Sequence, residues 1–204
     1  NNGFGDHRIE GIGDKHIPWV HDAKDTDFVV AVDDEKAIRI LRLFNEKKGR
    51  DALVSEGVNP ELVNMLDLLG ISGIGNVLAS IKFAKYNELT EKDYVVTIAT
   101  DSMQLYGSRI TELAEQRGEY TQGNAERDIE LLHSVTYDNT KELTYYDKKA
   151  IHNLKYYTWI EQQEKDLAEL NAQWYDHENF WGKTLNQAAD IDELIMDFNS
   201  RING

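Results

Sequence analysis

The first clear hydrophobic pattern along the chain is a short run, Phe28-Val29-Val30-Ala31-Val32, rich in β-branched residues. A run of this length bounded by polar residues predicts a strand. The stretch before it, 1–27, reads as loop: it is Gly-rich and carries His7, His16, His21 and Pro18. After it, Asp33 or Asp34 offers a carboxylate to the free N–H groups of a first helical turn. Ala37, Ile38, Leu41 and Phe44 then recur at helical spacing, with Ile40 beside them, and Gly49 is expected to stop that helix. Asn59-Pro60 announces a second helix, a cap residue followed by Pro where no N–H is needed. It carries Leu62, Val63, Leu66 and Leu69. Gly70-Ile71-Ser72-Gly73-Ile74-Gly75-Asn76 predicts a Gly-rich turn that opens a third helix, with Val77, Leu78, Ile81 and Ala84. Tyr94-Val95-Val96-Thr97-Ile98-Ala99 is a second buried-strand candidate. It leads through Thr100-Asp101-Ser102 into a helix with Leu105, Ile110 and Leu113.

Alternation of strands and helices predicts an α/β layer with parallel strands. The pattern changes after Gly118. Asp147 to Trp174 predicts one long helix, and Tyr156, Tyr157, Trp159, Trp174 and Trp181 make this tail aromatic. Aromatics at helical spacing are usually core or subunit interface. The expected organisation is therefore an α/β portion over 1–117 and a mostly helical C-terminal extension over 118–204.

Composition narrows the chemistry. There is no Cys, which excludes disulfides, thiolate nucleophiles and Cys-ligated metals, and a cytoplasmic setting is compatible with that. The formal net charge is -15. So acidic a surface repels nucleic acid and anionic membranes, both of which need Lys and Arg to replace their counterions. No apolar run approaches a bilayer span. The chain opens on Asn1-Asn2-Gly3 without Met, a basic region or an apolar stretch, as a fragment or processed chain would and a signal peptide would not.

Several residues could carry chemistry, each beside a plainer reading. The glycines at 70, 73 and 75 would let a backbone approach a ligand, and the helix start would offer N–H groups to an anion. They match neither a Walker A loop nor the dinucleotide fingerprint in register, and an ordinary tight turn is the commoner meaning of such a pattern. His7, His16 and His21, among Asp6, Asp14 and Asp22, are metal-ligand types without metal-ligand spacing, so solvated loop histidines are expected. Lys15 could form a Schiff base only with its amine neutral, which the flanking Asp14 disfavours.

Three blocks nevertheless occur in the order found near the end of the cysteine synthases (O-acetylserine sulfhydrylases) and their relatives. His7-Arg8-Ile9-Glu10-Gly11-Ile12-Gly13, followed by Ile17-Pro18, resembles that family's H-K-I-x-G-I-G-x-x-x-I-P loop. Gly70-Ile71-Ser72-Gly73 is similar to its G-I-S-S-G-A, and Val95 to Ile98 running into Asp101-Ser102 and Tyr106 resembles its strand ending in D-S-G-E-R-Y. The resemblance covers about residues 5–110.

It implies part of the larger three-layer domain of a fold-type II pyridoxal 5'-phosphate enzyme. Ser72 would meet the pyridine nitrogen of the cofactor, and Gly11, Ile12 and Gly13 would line the substrate side. A neutral hydroxyl leaves that nitrogen unprotonated, where a carboxylate would hold it protonated and make the ring a stronger electron sink. The resemblance implies β-replacement or β-elimination on a serine- or cysteine-like amino acid, as in cysteine synthase or the cystathionine β-synthase relatives. The family's Schiff-base lysine and phosphate loop fall before the first block, so no lysine here is assigned that role. A companion N-terminal segment or chain is expected to supply it, and a homo-oligomer, commonly a dimer, is the expected assembly. The competing expectation is a non-catalytic α/β assembly or regulatory module that binds no cofactor. Gly73 in place of the second serine, Met103-Gln104-Leu105 in place of G-E-R and the added tail depart from the family pattern.

Overall fold

The computed structural model describes residues 7–9, 12 and 16–203. They fall into two compact units: the described residues up to 12 with Phe28–Glu142, and those from 16 to 27 with those from Leu143 onward.

The first unit is built around α1 (Asp34–Asn45). Asp33 caps it as the sequence leads one to expect, its carboxylate accepting the Glu35 N–H at 2.9 Å. Ala37, Ile38, Ile40, Leu41, Leu43 and Phe44 are all buried, so α1 is covered on several sides rather than along one stripe, as a central helix must be. Packed on it are α2 (Lys47–Ser55), α4 (Ile71–Tyr86) and α6 (Gln122–His133). Between them, α3 (Pro60–Asn64) starts at the Asn59-Pro60 signal, with the Asn59 side chain accepting the Glu61 N–H at 2.8 Å. A 3-10 turn over Met103–Leu105 precedes α5 (Gly107–Arg117).

Three expectations for this unit are corrected. Gly49 does not stop α1, which ends at Asn45; it lies inside α2, where a Cβ would collide with the Leu43 carbonyl. Glycine there serves close helix packing. The Gly70–Gly75 stretch is not a turn before a helix, because α4 begins at Ile71 with Gly70 as its N-cap. Nor are the strands parallel neighbours. β1 (Phe28–Val30) pairs antiparallel with β2 (Thr140–Glu142), Phe28 opposite Glu142 and Val30 opposite Thr140. Tyr94–Ala99 forms no ladder with any described residue, although its composition suits a strand. A strand exists only through its neighbours' hydrogen bonds, and here Tyr94 and Val96 are 94% and 91% exposed. Beyond Gly118, α6 stays with the first unit because Ala125, Ile129 and Tyr120 join its apolar core.

The second unit is helical: α7 (Tyr145–Lys155), α8 (Leu167–Tyr175), α9 (His177–Leu185) and α10 (Gln187–Asn203). Thr144 and Asp147 close a capping box at the start of α7. The single helix expected over 147–174 is interrupted. A π-helical turn, Tyr156–Ile160, follows α7, and Glu164 then takes a left-handed φ of 54°. A residue in that conformation ends a helix, and α8 restarts on Asp166, whose side chain caps Ala168 N at 2.8 Å. Among the described residues no single helix is long and apolar enough to cross a membrane.

Candidate functional site

The three sequence blocks meet around the first turns of α4. Ile9 is buried in the core of the first unit. Its Cδ1 and that of Ile12 stand 3.5 Å and 3.3 Å from the point a Cβ on Gly75 would occupy. The loop is tied to α1 by Arg8, whose backbone N–H donates to Asp34 at 2.9 Å and whose guanidinium donates to Glu35 at 2.6 Å. On the other side, Gly70 N–H donates to the Asp101 carbonyl at 2.8 Å, and a Cβ on Gly70 would collide with the Asp101 carboxylate. That carboxylate is fixed in turn by the Tyr106 hydroxyl, which donates to it, and by Thr100 Oγ1 at 3.1 Å. Asn76 Nδ2 donates to the Ile98 carbonyl at 2.9 Å, holding the end of the exposed run to α4. Glycine at 70 is therefore required by close approach, while a Cβ at 75 would press only on the end of the Ile12 side chain, and the spacing alone revealed neither.

Ser72 occupies the second position of α4 and is 2% exposed. Two cavities of about 240 and 230 Å³ lie in this unit, and Ser72 lines neither. Of the residues expected on the substrate side, Ile12 is placed next to α4, while Gly11 and Gly13 lie outside the described residues, as does Lys15. As a fit to pyridoxal 5'-phosphate, the chain presents one hydroxyl in the opening turn of a helix, between two glycine approaches.

The candidate histidine group is not assembled as the sequence grouped it. His7 is exposed, while His21 bonds Thr26 Oγ1 at 3.0 Å within the second unit. Burial, with the Lys155 charge second, lowers the His21 pKa. Asp22 instead joins Asp25 and His177, with ligand atoms within 4.8 Å of one another. His177 Nε2 lies 2.6 Å from Asp22, an ordinary histidine–carboxylate pair. His177 could not have been found from the sequence, since 155 residues separate it from Asp22.

Sequence reasoning also missed Lys155. It is fully buried, and its ammonium donates to Trp19 O at 2.9 Å, His21 O at 2.6 Å and Gln173 Oε1 at 2.7 Å. Burial brings its pKa down to about 8, against the raising influence of Asp22. An amine whose three protons are all donated within the protein is a structural tie, not a poised nucleophile. Beside it His152 is buried against Trp174, ring centroids 5.3 Å apart, and its Nε2 meets Leu170 O at 3.1 Å. Burial, helped by the charges of Lys149 and Lys155, brings the His152 pKa down to about 4.

No protein-family model, curated protein or solved structure matches the chain.

Proposed function

We propose that this chain is the C-terminal portion of a pyridoxal 5'-phosphate enzyme of the cysteine synthase type, acting by β-replacement or β-elimination on a serine- or cysteine-like amino acid. The observation that carries the reading is the convergence of three separated blocks on one helix start: Ile9 and Ile12 against Gly75, and Gly70 hydrogen-bonded to Asp101. Blocks that resemble a family only by chance have no reason to meet.

In this reading Ser72 holds the uncharged ring nitrogen, and the loop around Ile12 shapes the amino-acid side of the pocket. The cofactor supplies the electron sink for breaking the Cα–H bond and expelling the β-substituent. The Schiff-base lysine and the phosphate loop belong to a segment or companion chain preceding this one. That segment also provides the sheet neighbours of Tyr94–Ala99, a run apolar on both faces as interior parallel strands are. Ser72 is 2% exposed in the chain by itself, so this reading requires the added segment to open a cleft at the start of α4.

The test is made on the full-length natural protein. Purified with pyridoxal 5'-phosphate, it should be yellow, with a visible absorption band. Ser72→Asp, by holding the ring nitrogen protonated, should shift that band and lower turnover of O-acetylserine or serine. A protein that takes up no cofactor would defeat this reading and favour the non-catalytic module.

A further inference from the structure

A second feature of the first unit has no part in that reading. The cavity of about 230 Å³ lies between α1, the end of α5 and the start of α6, and four arginines line it: Arg39, Arg42, Arg117 and Arg127. Glu35 and Asp128 oppose them in the lining and Glu46 pairs with Arg42 from beside it, leaving an excess of one positive charge in a chain whose formal net charge is -15. Clustering like charges is unfavourable unless something of opposite sign is held there.

The arginines are not equivalent. Arg117 is paired with Glu35 at 2.5 and 2.9 Å, and Arg39 with Asp128 at 2.6 Å. Arg42 is nearly buried, donates to Glu46 at 2.9 Å and to Gly118 O at 3.1 Å, and stacks 5.0 Å from the Tyr120 ring centre. Asp128 is itself saturated, because its second oxygen accepts the Tyr120 hydroxyl at 2.7 Å. These pairs fix three guanidinium planes. Arg127 is exposed, and no carboxylate pairs with it among the described residues. Its Nη1 lies 3.6 Å from the point a Cβ on Gly123 would occupy, so a cation folds back over the first turn of its own helix. That end of a helix carries the positive pole and repels a cation. An anion between Arg127 and the fixed guanidiniums would remove the conflict, and the Asn124 amide, also in the lining, adds a polar group beside it.

We infer that this cavity is a binding site for a phosphate-type oxyanion, free or as a phosphomonoester, separate from the region around Ser72. The cluster carries a net positive charge even with its three carboxylates counted, and a phosphate group, with between roughly one and two negative charges at neutral pH, is enough to neutralise it. Planar guanidiniums from different helices suit an oxyanion with several oxygens better than a single-point anion such as chloride.

The experiment titrates inorganic phosphate into the full-length protein by calorimetry, at fixed ionic strength set with chloride. Saturable uptake is expected, weakened about tenfold or more in Arg127→Ala, the usual consequence of losing hydrogen bonds to a charged group. Arg127→Lys should fall between the two. Thermal unfolding without phosphate should not fall in either variant, because Arg127 is exposed and its charge opposes the helix pole. No saturable binding would overturn the inference. So would phosphate binding unchanged in Arg127→Ala, since the anion would then occupy another place, such as a cofactor's phosphate loop. Binding abolished equally by chloride would reduce the site to a diffuse charge effect and overturn it too.

Discussion

The two units combine apolar and polar burial in different proportions. The first buries a large apolar cluster, with Ile38, Leu41, Leu43, Ile71 and Ile74 almost wholly covered, and Arg42, Lys82 and Asp128 are buried beside it. The second buries Lys155, Gln173 and His152 alongside Leu170 and Trp174. Apolar burial is non-directional and indifferent to pH. A buried polar centre depends on every partner being in place, because each unpaired group bears the full penalty of its lost hydration. The comparison teaches that the aromatic tail is not simply a surface for another subunit. Trp159 donates to Ile17 O at 2.8 Å, Trp181 donates to Gln173 O at 3.2 Å, and Trp174 is packed on His152. These rings organise their own unit.

The contrast can be broken most forcefully at Lys155. Lys155→Met keeps much of the volume but strands His21 O and Gln173 Oε1, leaves Trp19 O only its longer bond from Gln173 Nε2, and should destabilise by about 3–5 kcal/mol. All four tryptophans, Trp19, Trp159, Trp174 and Trp181, lie in the second unit, so denaturant unfolding followed by tryptophan fluorescence reads the effect there. Leu41→Ala is the counterpart in the first unit. Emptying that site should cost about 2–5 kcal/mol, read from amide exchange in α1, and the loss should be the same at pH 5 and pH 8.

Acid should separate the units next. His152 titrates near 4 in the folded chain, below the ordinary 6.5, so it is neutral when folded. Between those values the unfolded chain binds more protons, and stability present above about pH 6.5 is lost as pH falls towards 4, by about 3 kcal/mol in all. Lys155, with its pKa near 8, gives the same sign in a higher window: stability rises as pH goes from about 8 towards 10.5. Tryptophan-monitored unfolding across pH 4 to 10, repeated in His152→Gln, checks both; a flat profile in the parent protein would remove the distinction between the units.

The smallest effect on stability should come from Val96→Asp. At 91% exposed, Val96 has little to lose, and this chain's unfolding should move by no more than about 0.5 kcal/mol. The same change should abolish assembly with the segment proposed to cover Tyr94–Ala99, because a charge would enter the interior of a sheet. Amide exchange over 94–99 in the full-length protein should be slow in the parent and fast in the variant.

What the sequence made legible was local. Asp33 and Asn59-Pro60 announce their helices because a cap is decided by a few adjacent residues. Tyr94–Ala99 misled because a strand is decided by its neighbours, and the composition of the run says only what neighbours it would suit. Gly49 misled for a related reason: a glycine that ends a helix and one that admits a crossing backbone look alike until the second helix is in place. In the candidate site, the order of the blocks showed Ser72, Ile12 and Gly70 to be worth watching. Their convergence came only with the fold. Lys155 and His177 were invisible, since a lone lysine or histidine in a helix carries no spacing signal, and their partners lie 134 and 155 residues away.

The most direct measurement of the central claim is to reduce the cofactor-loaded full-length protein with borohydride, which fixes pyridoxal 5'-phosphate to the lysine that holds it, and to locate the modified peptide by mass spectrometry. The account predicts one modified lysine, in the polypeptide preceding this chain, and none within it. Modification of Lys155 or any other lysine of these residues, or no modification at all, would contradict it.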